Sequence, residues 1–185
     1  MRKLSLLLFC ISSLLCFSQS FVATPSGLVC AADETKEYVV VSFEGISAER
    51  LYQLTQNFRQ KHYANPTKVI QVDITNEFLS INTFAGRFMN FSHWGVSMGV
   101  DINFTAEFSF KDGKIKIQFT NCKMKFSDNA RNDLPYISNG MSWGVFDKKA
   151  NPTKDLPEQY ENYFNKYVSD YMLFINNYEK IKDDW

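Results

Sequence analysis

Residues 96–111 alternate between apolar and polar side chains without a break. The even positions from Val96 to Phe110 are apolar, and the odd positions from Ser97 to Lys111 are small, polar or charged. Successive side chains of a β-strand point to opposite faces, so this period of two predicts a long antiparallel strand with one buried and one solvated face. Any fold of this chain must accommodate that strand.

The strand ends at Lys111-Asp112-Gly113-Lys114, whose Asp-Gly pair favours a tight hairpin turn. Its predicted partner covers residues 114–126. In this partner the apolar side chains occupy odd positions at first and even positions after Thr120 and Asn121. One extra residue reverses the face of every later side chain, so the change predicts a β-bulge there.

The rest of the chain supplies three more strands and two helices. The predicted strands cover residues 38–43, 69–74 and 78–81. Ser47 is a suitable N-cap for the first helix, which Asn65-Pro66 ends, and Asp155 opens a last helix with an aromatic face. The order β-α-β-β-β-β-α predicts a two-layer α+β domain, a five-stranded antiparallel sheet with both helices on one face.

The first twenty residues have the pattern of a secretory signal peptide. Arg2 and Lys3 precede an apolar run from Leu4 to Phe17, and the small residues Ser18 and Ser20 follow. We expect cleavage after residue 20, a flexible leader over residues 21–35 and a single α+β domain over 36–182. The predicted location is secreted or periplasmic, with no integral membrane segment after cleavage.

Charge and cysteine content exclude several classes of protein. The chain balances 20 Lys+Arg against 20 Asp+Glu, without the basic stripe of a nucleic-acid-binding protein. Cys30 and Cys122 are the cysteines outside the signal peptide, too few for a disulfide framework. An oxidising compartment permits a disulfide between them, but the pattern favours a small buried free thiol at Cys122.

Three short motifs carry a resemblance to a known family. They are Leu51-Tyr52, Val69-Ile70-Gln71-Val72 after Asn65-Pro66, and Lys111-Asp112-Gly113-Lys114. Over residues 38–126 the chain resembles a secreted bacterial domain of unknown function with a TBP-like fold, found mainly in envelope proteins of Bacteroides-type bacteria. That family has no assigned activity or catalytic residue. The resemblance implies a fold, and it implies no DNA binding, because a fold does not fix a function.

The residues themselves also argue against nucleic acid and catalysis. Asp101 and Glu107 are expected on the solvated face of the long strand, where they repel phosphate. Six residues of strand place them roughly 20 Å apart, too far for a glycosidase pair. His62 continues the apolar stripe of the first helix, and no set of metal ligands surrounds His93. We therefore predict no catalytic residue, no metal and no cofactor.

Two aromatic segments are the best candidates for binding. Trp94-Gly95-Val96 and Trp143-Gly144-Val145 repeat one tripeptide in segments predicted to be loops. The candidate ligand-binding residues are Trp94, Trp143, His93, Phe88, Phe91 and Tyr136. They predict an exported, non-catalytic binding or interaction module whose partner is a protein or a glycan. The alternatives are a hydrolase-type enzyme that uses His93, and a secreted protease inhibitor whose wedge is the loop around Trp94.

Overall fold

The computed structural model describes residues 20–127, 133–140 and 143–182. Its elements are β1 (Phe21–Thr24), β2 (Gly27–Cys30), β3 (Tyr38–Ser42), α1 (Ala48–His62), β4 (Ile70–Ile74), β5 (Phe78–His93), β6 (Val96–Lys111), β7 (Lys114–Phe126), β8 (Asp133–Leu134) and α2 (Leu156–Lys182). The main sheet is antiparallel with strand order β3-β7-β6-β5-β4. The predicted α+β class is confirmed. The short β8 beside β7 and the separate β1–β2 hairpin are additional.

The long alternating strand, β6, lies in the middle of the sheet. Its even side chains form the floor of the core, where Phe104 and Phe108 are fully buried. Both helices pack on this side: the ring of Phe104 lies 5.1 Å from that of Phe164 in α2, and Phe110 lies 5.7 Å from Tyr52 in α1. The predicted placement of both helices on one face is therefore confirmed.

The turn between β6 and β7 also fixes the start of α1. Gly113 adopts φ 74°, which a tight turn requires and a side chain disfavours. Asp112 Oδ1 accepts the N–H of Ala48 at 2.8 Å, and Ser47 Oγ accepts that of Arg50 at 3.3 Å. Two unpaired N–H groups of the first turn are satisfied, one by the predicted cap and one by the hairpin turn.

The predicted bulge in β7 is present. The pairing with β6 shifts between Asn103 and Thr105, opposite Asn121, which has φ 53°. Ile117 before the bulge and Met124 after it are therefore both buried against the helices, although their positions differ in parity.

Residues 21–30 correct the expectation of a flexible leader over 21–35. They form the β1–β2 hairpin, and Phe21 is 2% exposed with its ring 5.3 Å from that of Phe119. Asn165 of α2 accepts the N–H of Phe21 at 2.7 Å and donates to its carbonyl at 2.9 Å. The apolar side chains of the hairpin extend the core, and Thr24 and Gly27 flank the turn that joins its strands.

The sequence predicts no strand between residue 81 and Trp94, but this stretch is mostly strand. β5 continues to His93 and pairs with β6 over its whole length. A bulge between Ala85 and Met89 places three residues opposite Asp101. This bulge obscures the period of two, so the sequence pattern shows only the first part of the strand.

The predicted solvated face of β6 is also partly covered. Asp101 is 9% exposed and Thr105 is 2% exposed. Asp101 accepts the N–H of Arg87 at 2.9 Å and the hydroxyl of Ser127 in a short hydrogen bond, and these bonds lower its pKa, the one from Ser127 most. Asp101 therefore holds the β5 bulge in place, and the expectation of a freely solvated charge there is wrong.

Candidate functional site

The turn between β5 and β6 is the most exposed aromatic point of the described chain. His93 pairs with Val96, so Trp94 and Gly95 alone form the turn, with φ 48° and 79°. Positive φ at both central residues defines a type I′ turn, which matches the twist of the flanking strands. We call residues 92–97 the hairpin tip.

Trp94 is an unusual residue for this position. The left-handed backbone costs a residue with a Cβ about 1–2 kcal/mol, and such turns strongly prefer Asn, Asp or Gly. Trp94 is 92% exposed and Val96 is 59% exposed. The fold therefore presents a large apolar side chain to solvent on a strained backbone, where stability alone favours a small polar residue.

The base of the hairpin tip is held by a residue of α2 and by Lys154, which lies just before that helix. β4 begins beside Ile81, and no described strand lies next to this edge of β5 between that point and the hairpin tip. Gln159 takes its place: its Oε1 accepts the N–H of Asn90 at 2.8 Å and its Nε2 donates to the Asn90 carbonyl at 3.0 Å. Lys154 donates to the carbonyl of Ser92 in a short bond. These contacts fix the position of the tip before any partner arrives.

The second tryptophan lies against the core side of the same hairpin. The ring of Trp143 lies 4.8 Å from that of Phe91 at a tilt of 34° and meets the ring of Phe126 edge-on at 6.4 Å, and Trp143 remains 42% exposed. A Cβ on Gly144 would lie 2.6 Å from the backbone nitrogen of Ser138. Gly144 is thus required by close packing, whereas Gly95 is required by its positive φ, and the repeated tripeptide has two unrelated causes.

The other predicted site residues support this surface from below. Phe91 is 1% exposed under Trp143. Phe88 packs 5.3 Å from Tyr163 of α2, and the hydroxyl of Tyr136 donates to the carbonyl of Thr24 at 2.7 Å. Among the candidates whose side chains the structure describes, only Trp94 and Trp143 are exposed. The side chain of His93 lies outside the described residues, so the hydrolase alternative stays a hypothesis.

The described residues hold few groups suited to chemistry. Within them, no three His, Cys, Asp or Glu side chains come close enough to hold a metal ion. Cys122 lines a pocket of about 320 Å³ with Tyr136 and Tyr160, but burial raises the pKa of its thiol and so disfavours the nucleophilic thiolate. His62 stacks on Phe58 at 4.8 Å, and its pKa is lowered by burial.

Comparison with solved structures places the architecture. A DUF4468 family protein from Bacteroides ovatus ATCC 8483 superposes with a TM-score of 0.51 at 8% identity, over 75% of this chain and 82% of that one. A TBP-like protein from Parabacteroides distasonis ATCC 8503 superposes with a TM-score of 0.51 at 12% identity, over 76% and 91%. The fold is TBP-like. The predicted resemblance to a TBP-like domain of unknown function is thereby confirmed at the level of fold.

The TBP-like neighbours carry no activity over to this chain. No family model matches the sequence, and no curated protein matches it. Identities of 8% and 12% show the fold alone, and neither neighbour is described by a reaction. Within the described ranges, neither helix has the length and apolarity needed to cross a bilayer. The particular surface of this chain must therefore support any statement about its function.

Two parts of the site escape sequence reasoning. Gln159 and Lys154 lie far along the chain from the strand that they hold, and no local pattern relates them to it. The Trp94-Gly95 pair could have been identified as a two-residue hairpin turn, since Gly favours positive φ and Val96 begins an alternating strand. The bulky tryptophan obscured that signal.

Proposed function

We propose that this protein is an exported, non-catalytic binding module that inserts the hairpin tip into an apolar groove of a partner protein. The observation that carries the proposal is Trp94, 92% exposed on a left-handed backbone. An observed backbone outlier at an exposed position is a reason to look for a function there.

The energetics favour Trp94 as a binding hot spot. A tryptophan buries about 150–250 Å² when it is enclosed. At about 25 cal/mol per Å², this amounts to roughly 4–6 kcal/mol before the entropic cost of association. The folded chain realises little of this burial, because only 8% of the residue's surface is covered. A groove on a partner protein would bury the apolar surface of Trp94 that the fold leaves in solvent.

The shape and rigidity of the tip favour a protein over a glycan. A two-residue turn is convex. A concave groove of a protein therefore contacts more of its surface than a sugar ring can. The Gln159 and Lys154 contacts hold the tip in one position, which reduces the ordering cost of binding. Trp143 and Val96 add apolar surface nearby, as the rim of a central anchor does in protein interfaces.

Export rests on the signal-peptide pattern of residues 1–20. Cleavage after Ser20 leaves Phe21 as the first residue, with its backbone nitrogen 2.7 Å from Asn165 Oδ1. The new α-ammonium group would then strengthen that hydrogen bond. Intact-mass measurement of the protein from its native cells tests this step. The mass of a chain that begins near Phe21 supports export, and the mass of a chain that still contains residues 1–20 contradicts it.

Site-specific photo-crosslinking tests the binding role. A photoreactive phenylalanine analogue replaces Trp94 in one variant and Phe84 in the other; Phe84 is 58% exposed on β5, the strand that leads to the hairpin tip. In the cells that produce the protein, position 94 should yield a discrete protein adduct and position 84 should not. Equal adducts at both positions, or a glycan-sized adduct at position 94, contradict a protein groove as the partner of the tip.

A further inference from the structure

The face of the sheet opposite the helices contains a lysine-lined cleft. Three neighbouring strands contribute to it: β3, β7 and β6. We call it the lysine cleft; its volume is about 300 Å³ and its lining residues are Tyr38, Val40, Ser109, Lys111, Lys114 and Lys116. It lies at the end of β6 away from the hairpin tip, about 50 Å along the strand.

The positive charges of the cleft face each other. Lys111 and Lys114 are directly opposite in the β6–β7 ladder, and Lys116 is opposite Ser109. Like charges in directly opposed positions destabilise a sheet. The whole chain is formally neutral, so this concentration of cations is local. Apart from the contact of Lys116 with the ring of Tyr38, folding gains little from this concentration of charge, which points to a ligand.

Among the described residues that line the cleft, none carries a carboxylate. Asp112 is adjacent in sequence, but its Oδ1 accepts the N–H of Ala48 at the start of α1. Among the described residues, neither Lys111, Lys114 nor Lys116 has a carboxylate oxygen within salt-bridge distance. The three ammonium groups thus have no ion-pair partner within that part of the chain, and Glu107, the next carboxylate along β6 on this face, accepts the hydroxyl of Thr120 at 2.7 Å.

The remaining lining residues suit a small organic group next to an anion. The ring of Tyr38 lies 5.3 Å from Lys116 Nζ, so an aromatic surface and a cation meet at one wall. Val40 adds apolar surface, and Ser109 offers a hydroxyl donor. A volume of about 300 Å³ is at the lower end of small-molecule sites.

We propose that the lysine cleft binds a small phosphate monoester. Such an ester carries a charge of about −1.5 to −2 at neutral pH with three acceptor oxygens, which matches three lysine donors better than a single carboxylate does. Tyr38 and Val40 contact the organic part. The site is separate from the hairpin tip, so either can be correct without the other.

Calorimetry at low salt tests the site with glucose 6-phosphate, inorganic phosphate and glucose. The proposal predicts binding of both phosphates, tighter binding of the ester, and none of glucose. Replacing Lys114 and Lys116 by Gln should weaken binding of the ester at least tenfold. A matched control replaces Lys123 and Lys125 by Gln, on the same strand and face, and should change it less than twofold.

Two further measurements keep the outcome decisive. The Y38L variant should keep its affinity for inorganic phosphate and lose the preference for the ester. Vesicles of phosphatidylglycerol test whether the cleft binds an anionic membrane surface instead of a small phosphate. Equal loss in both double-lysine variants, or binding to vesicles without binding to either small phosphate, overturns the proposal. The lysine variants should have a thermal midpoint no lower than that of the parent, since the substituted lysines are on the surface and Lys114 opposes Lys111.

Discussion

Removing the ring of Phe104 should destabilise the protein more than removing any exposed ring. Phe104 lies at the middle of the central strand and is fully buried. Its ring is 5.1 Å from Phe164 and 5.6 Å from Phe119, and it also meets Tyr163 and Tyr167. The side chain therefore joins the sheet to α2 at its most aromatic point.

The expected loss for Phe104→Ala is about 4 kcal/mol. Truncation of a buried phenylalanine removes its transfer free energy and leaves a cavity, which together cost about 3–5 kcal/mol. Four aromatic neighbours favour the upper half of that range, since each pair adds about 0.5–1.5 kcal/mol that is not fully additive. For a domain of this size, about 4 kcal/mol lowers the melting temperature by roughly 8–16 °C.

Urea unfolding of the mature protein, followed by circular dichroism, measures the change. The matched control is Phe84→Ala, because Phe84 lies on the neighbouring strand but on the opposite face and is 58% exposed. The control should change stability by less than about 0.5 kcal/mol. If the two variants lost equal stability, the assignment of the buried face of the sheet would be wrong.

Three other substitutions test separate parts of the fold. Gly144→Ala brings a Cβ within 2.6–2.9 Å of three backbone atoms and should cost several kcal/mol of stability. The Cβ of Gly95→Ala meets nothing within 4 Å, so this substitution should cost only about 1 kcal/mol, for the positive φ. Equal melting temperatures for the two variants would contradict this account. Asp101→Ala should cost about 1–3 kcal/mol at pH 7 by removing two part-buried hydrogen bonds to a carboxylate. The folded-state pKa of Asp101 is lowered, so the stabilisation that its carboxylate provides is present above pH 3.8 and is lost as the pH falls through the folded-state value. The free energy of unfolding of the variant should therefore fall less with decreasing pH than that of the parent. Tyr171→Phe removes a 2.5 Å buried hydrogen bond to Thr55 and should cost about 1 kcal/mol by urea unfolding; an unchanged midpoint would show that this bond adds no net stability.

Much of the fold follows from local patterns in the sequence. The alternation in β6 identifies its buried face, and the change of parity at Asn121 reveals the β7 bulge. Ser47 marks the start of α1. Each of these signals is carried by neighbouring residues, and the physics that produces it acts over one strand or one helical turn.

The errors arise where distant residues meet. Asp101 is covered because the β5 bulge places Arg87 over it, and nothing near Asp101 in the sequence indicates this. Phe21 is ordered because Asn165, far along the chain, holds its backbone. The sequence proposes the aromatic residues around Trp94 as binding candidates, but which of them are exposed depends on how α2 packs against β5.

The most direct test of the binding role is the dissociation constant of the crosslinked partner for three proteins: the parent, W94A and F84A. Removing the side chain of a central anchor costs at least about 2 kcal/mol of binding free energy. The dissociation constant of W94A should therefore be at least roughly 30-fold higher than that of the parent. F84A should bind within about twofold of the parent, because Phe84 lies away from the tip. Equal affinities for all three proteins would contradict the assignment of Trp94 as the anchor.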